Sequence, residues 1–139
     1  MKVPKSSHSN ILLAVGFFFI WLGILYAGAD HPPPAGFVWI IGLDLLAAWL
    51  VYLRVPTYVN WSADRTRLRW FRVLLDGFLA GFVFAIIAIV LPVNRDASIL
   101  PVSIDYAIWF AVLAGVGIAN TVLLYFISSV FSRFSARVQ

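Results

Sequence analysis

Four long stretches of this chain carry almost no charge, and they leave little freedom in how it can fold. Ile11 to Ala29 has no charged residue, Gly36 to Leu53 only Asp44, Trp70 to Leu91 only Arg72 and Asp76, and Tyr106 to Val130 none. A helix needs about 20 apolar residues to cross the hydrocarbon core of a bilayer. Helices and closed barrels are the folds that satisfy every backbone N–H and C=O there without water. The pattern predicts an all-α integral membrane protein, a single transmembrane domain over residues 1–139 with four transmembrane helices in an up-down bundle. The expected spans are 11–29, 36–54, 70–91 and 106–130, joined by outer loops 30–35 and 92–105 and a basic cytoplasmic loop 55–69.

Composition agrees. The chain is 63% hydrophobic and 12% charged, against about a quarter charged in soluble domains, and four spans leave room for no sizeable soluble domain. Cysteine is absent, which removes thiolate chemistry, disulfide exchange and cysteine-ligated metal centres. The formal charge of +4 is distributed as expected of a membrane protein, and no nucleic-acid partner is expected.

The breaks between the stretches have physical causes. In Asp30-His31-Pro32-Pro33-Pro34 each proline lacks an amide donor and disfavours helical geometry in the residue before it. Arg54 and Pro56 are expected to close span two, and Ser62 or Asp64 to cap the helix that becomes span three. Lys2, Lys5 and Ala27-Gly28-Ala29 are also the parts of a secretory signal. The apolar stretch is longer than the 7–15 residues typical of a signal, and bulky Leu25 and Tyr26 crowd the cleavage position, so span one is expected to be retained. The tail from Phe131 is expected to continue span four, with Phe134 and Val138 at helical spacing.

Orientation follows from the ten basic residues. Lys2, Lys5, Arg54, Arg65, Arg67, Arg69, Arg72, Arg133 and Arg137 fall on one side of the expected topology, and Arg95 on the other. The positive-inside rule makes the richer side cytoplasmic, so both termini are expected inside. Compact loops with this bias fit a plasma membrane of the bacterial inner-membrane kind.

Asp44 stands out, because a carboxylate near the middle of a span costs on the order of 2.5–3.5 kcal/mol on insertion scales. Two uses follow: an ion- or proton-carrying group, or a buried polar contact that fixes helix packing, with the Trp21 indole, Asn120 or Thr121 as donors at suitable depth. Arg65, Arg69 and Arg72 lie at helical spacing with Asp76, forming a stripe that leads into the membrane. The stripe is either simple topogenic charge or a contact for an anionic lipid or an acidic partner, and an Arg72–Asp76 ion pair accounts for Asp76. Gly77, Gly81 and Ala85 in span three, and Ala107, Ala111, Gly115 and Ala119 in span four, form faces of small residues that are expected to pack spans three and four against each other, with oligomerisation or docking to a larger membrane protein as the alternative use. His8 and His31 are isolated, and no phosphate loop, nucleophile elbow or paired catalytic carboxylates can be found. No cofactor or metal is expected.

Families of small four-helix membrane proteins are not matched residue by residue. Small multidrug exporters depend on an intramembrane glutamate and this chain has no Glu; the vitamin K epoxide reductase group needs cysteines. The leading expectation is a non-enzymatic accessory, regulatory or immunity-type protein that packs against another membrane protein or itself. An oligomeric ion-coupled transporter or channel built on Asp44 is the alternative.

Single cysteines introduced into this cysteine-free chain test the orientation. Probes at Ser6, Ser62 and Ser135 are expected to resist an impermeant thiol reagent in intact cells, and probes at Ala35 and Ser98 to react. Labelling at Ser62 from outside would invert the assignment.

Overall fold

A computed structural model describes residues 7–33, 35–63, 66–90 and 103–135. It is all-helical over those residues, with α1 at Ser7–Gly28, α2 at Phe37–Ala63, α3 at Leu68–Val90 and α4 at Ser103–Ser135. Each helix is long and apolar enough to cross a membrane. The chain is thus a multi-pass helical membrane protein, compatible with a four-helix bundle. By internal contacts it divides into two compact units, Met1–Thr57 and Tyr58–Gln139.

In the first unit, α1 ends at Gly28, where the Ala29 amide still reaches the Tyr26 carbonyl at 3.2 Å before the proline run stops the ladder. The Tyr26 ring packs edge-on against His31 at 4.9 Å and against Phe37 at 6.1 Å, joining the end of α1 to the start of α2. Phe37, Asp44, Ala48, Val51 and Val55 are buried at steps of seven, four, three and four, which makes a heptad-like seam along one face of α2. One of its members is a carboxylate.

The expectation that Pro56 closes span two is corrected: α2 runs through Pro56 to Ala63, 27 residues in all. An internal proline forfeits one hydrogen bond and crowds the carbonyl four residues earlier, here that of Tyr52. Neighbouring helices and local adjustment make this tolerable in membrane helices. The loop expected at 55–69 therefore shrinks to the four positions between Ala63 and Leu68. Ser62 caps nothing, since its hydroxyl donates to the Val59 carbonyl of α2 at 2.7 Å. Asp64 lies outside the described residues, as do the outer-loop positions 91–102 and the tail beyond Ser135. The start of α3 is instead turned in by the Arg69 and Trp70 amides, which bond to the Thr66 and Arg67 carbonyls at 3.3 Å. Residues 103–105, expected in the outer loop, already belong to α4, which reaches 33 residues and continues into the tail as expected.

The second unit is built on α3 and α4. They run antiparallel: Trp70 meets Tyr125, Gly77 meets Ile118, Gly81 meets Ala114, and Phe82 meets Phe110. The α3 side of the contact is Val73, Gly77, Gly81 and Ala85, one residue every four and all buried, with Val73 and Ala85 at 0% exposure. A Cβ on Gly77 would stand 2.6 Å from the Ile118 Cα, and one on Gly81 would stand 2.7 Å from the Ala114 Cα and run into the Leu113 carbonyl. On the α4 side the fitting residue is Gly117, whose own Cβ would meet the Gly77 carbonyl and come within 2.9 Å of the Gly81 Cα. Three glycines are thus required where the two backbones touch. The small-residue stripe read on α4 does not face α3: Ala107, Ala111, Gly115 and Ala119 are exposed, and nothing lies within 4 Å of a Cβ built on Gly115. The inward positions are Ala114, Gly117 and Thr121, which lie on a different side of the helix.

This geometry separates two glycines that the sequence treats alike. Gly81→Leu is expected to lower thermal stability in detergent by about 1–3 kcal/mol or to prevent folding, the usual range for overpacking. Gly115→Leu is expected to stay within about 0.5 kcal/mol of the parent, as for exposed positions. Equal losses would show that α3 and α4 do not meet at these residues.

Candidate functional site

Polar side chains gather in two places. The first is the end of the second unit where α2 finishes and α3 begins. The continuation of α2 past Pro56 brings Tyr58 to α3, where its hydroxyl donates to Asp76 Oδ2 at 2.8 Å. Tyr58 is 4% exposed, and its ring also packs against Trp61 at 5.9 Å. Asp76 was expected to answer to Arg72 alone. The tyrosine is a partner the sequence hides, because a stop at Pro56 puts Tyr58 in a loop.

The arginine stripe continues outward from Asp76. Arg72 is exposed, Arg69 is half-buried, and Arg65 lies outside the described residues. The Arg69 guanidinium lies over the Trp70 ring, 5.8 Å from its centroid. Trp70 is held in turn by α4, edge-on to Tyr125 at 5.4 Å and tilted against Phe126 at 5.7 Å. The cation therefore rests on a platform fixed by helix packing rather than on a free surface side chain. Further along α4, Ser129 donates to the Phe126 carbonyl at 2.9 Å, while the Ser128 hydroxyl, 1% exposed, has no hydrogen-bond partner among the described residues.

The second place is Asp44 in the first unit. It is 5% exposed, and its Oδ2 meets no donor, from Trp21 or elsewhere among the described residues. Asn120, the other donor expected, turns its amide to its own helix and donates to the Val116 carbonyl at 2.9 Å. Thr121 is buried in α4. Among the described residues nothing satisfies that carboxylate oxygen, a costly arrangement in an apolar span. Among the described residues, no three His, Cys, Asp or Glu side chains come together in a way that could hold a metal ion.

No family model matches the chain, and no curated protein or solved structure resembles it significantly.

The Tyr58–Asp76 bond gives a direct test of the polar end. Tyr58→Phe keeps the ring and removes one hydrogen bond to the Asp76 carboxylate, at a cost of about 1.5–3 kcal/mol. In an Asp76→Ala background, which removes the acceptor, the same change is expected to cost clearly less. Thermal denaturation of the four proteins of that cycle measures the coupling, and an additive cycle would show that the bond contributes nothing.

Proposed function

We propose that this protein acts by packing against another membrane protein, as an accessory, regulatory or immunity-type component of a plasma membrane of the bacterial inner-membrane kind. In this reading both termini are cytoplasmic and the four helices form an up-down bundle. The observation that carries it is the outward face of α4. Ala107, Ala111, Gly115 and Ala119 are exposed, whereas α3 occupies a different side of that helix. Small residues four apart let a second helix approach closely enough for dispersion contacts to accumulate, the main source of helix association where lipid tails are as apolar as side chains. No catalytic role is assigned to any residue.

A second reading is supported by Asp44, whose buried Oδ2 has no hydrogen-bond partner among the described residues. A carboxylate so placed suits a group that binds and releases a proton or small cation, which makes an ion-coupled transporter or channel the alternative. A single helical bundle is normally filled by its own side chains, so such a pathway would require several copies.

The two readings part in experiment. Under the first, Ala111→Leu and Gly115→Leu are expected to leave the isolated protein as stable as the parent and to abolish co-purification of its partner in mild detergent. Self-association lost in the same variants would make the partner a second copy. Under the second, Asp44→Asn is expected to keep stability and abolish proton or cation flux in liposomes. Undiminished association in the α4 variants would sink the docking reading, and a parent protein that passes no ions under an imposed gradient would sink the other.

A further inference from the structure

The basic end of the second unit carries more order than charge placed only to orient a membrane protein would need. Topogenic arginines act through their number and side of the membrane, and any rotamer serves. Arg69 is not in that situation. Its guanidinium lies over Trp70, and Trp70 is wedged against Tyr125 and Phe126 of the antiparallel helix. Arg72 follows three residues later on the same side of α3 and is exposed. One further turn in, Asp76 would repel an anion, but one of its oxygens accepts the Tyr58 hydroxyl, which delocalises part of its charge. Trp61 and Trp70, the latter exposed, supply this end with amphipathic rings of the kind that settle at headgroup depth.

We propose that Arg69 and Arg72 form a binding site for the phosphate of an anionic glycerophospholipid in the leaflet that this end of α3 faces. The charge is complementary, and the guanidinium fork matches two phosphate oxygens at once. A fork held on a ring loses less rotamer freedom on binding than a free one, so the site selects a phosphate diester of net negative charge over a zwitterionic headgroup, whose own ammonium competes for the phosphate. Arg133 in the last turn of α4 is an exposed cation with no aromatic contact of this kind among the described residues, and serves as the reference charge.

The test is native mass spectrometry of the full chain released from mixed micelles holding equal amounts of phosphatidylglycerol and phosphatidylcholine. The parent protein is expected to retain phosphatidylglycerol in preference. Arg69→Gln and Arg72→Gln are each expected to weaken that retention about tenfold, the effect of losing roughly one charge-assisted hydrogen bond, and Arg133→Gln to leave it unchanged. Arg69→Lys preserves charge and keeps the assay informative should a glutamine variant fail to fold. It is expected to lose several-fold, because a point charge cannot replace the fork. Full retention with lysine at position 69 would mean diffuse charge and overturn the site. Equal loss in Arg133→Gln, or no preference between the two lipids, would do the same. Displacement of the lipid by millimolar glycerol phosphate would show that the two arginines take a free anion, and the lipid assignment would be wrong. The outcome is independent of the α4 docking experiment, which changes none of these residues.

Discussion

The second unit rests on the close approach of two helix backbones. At Gly77, Gly81 and Gly117 there is no space for even one methyl group. In water such a contact would be a small part of a hydrophobic core. In lipid the apolar side chains gain little by leaving their surroundings, and stability comes from shape fit and from the polar contacts that fit allows. The glycines thereby set the register, and the register places Trp70 against Tyr125 and Phe126. The polar end described above depends on contacts two and three turns away from it.

Much of the architecture was legible in the sequence because its cause is one-dimensional. Charge-free runs of sufficient length mark helices whatever their neighbours, and all four appear close to their expected places. The boundaries were less legible where a local rule competed with tertiary context. Pro56 is a stop signal by backbone chemistry, yet α2 continues through it, and residues on the far side take part in burial and hydrogen bonding. Ser62 shows the same competition: a good capping residue by type, it bonds back to its own helix when that helix does not end.

The contact faces show a different limit. Gly77, Gly81 and Ala85 were legible because a single stripe of small residues stands out on α3. On α4 two small-residue faces interleave, one through Gly115 and one through Ala114 and Gly117, and nothing in a single sequence says which is turned inward. The longer stripe was the natural reading, and it is the exposed one. Asp44 is conspicuous as a charge in an apolar run, but its expected donors, Trp21, Asn120 or Thr121, follow from depth alone. Depth says nothing of azimuth, and Asn120 bonds along its own helix.

The lengths of the helices bear on the membrane that would suit them. At about 1.5 Å per residue, the 23 residues of α3 extend for roughly 35 Å, close to a hydrocarbon core of about 30 Å, whereas the 33 residues of α4 extend for roughly 50 Å. Its apolar portion alone, Tyr106–Phe131, exceeds that core by about 9 Å. Because the glycine contact fixes α4 against α3, the excess cannot be absorbed by sliding one helix along the other. Tilt of the pair, a kink in α4 or a local thickening of the lipid are the ways such an excess is met. Bilayer thickness therefore becomes a variable to which this hairpin is mechanically coupled, and membranes of different thickness would hold it at different angles.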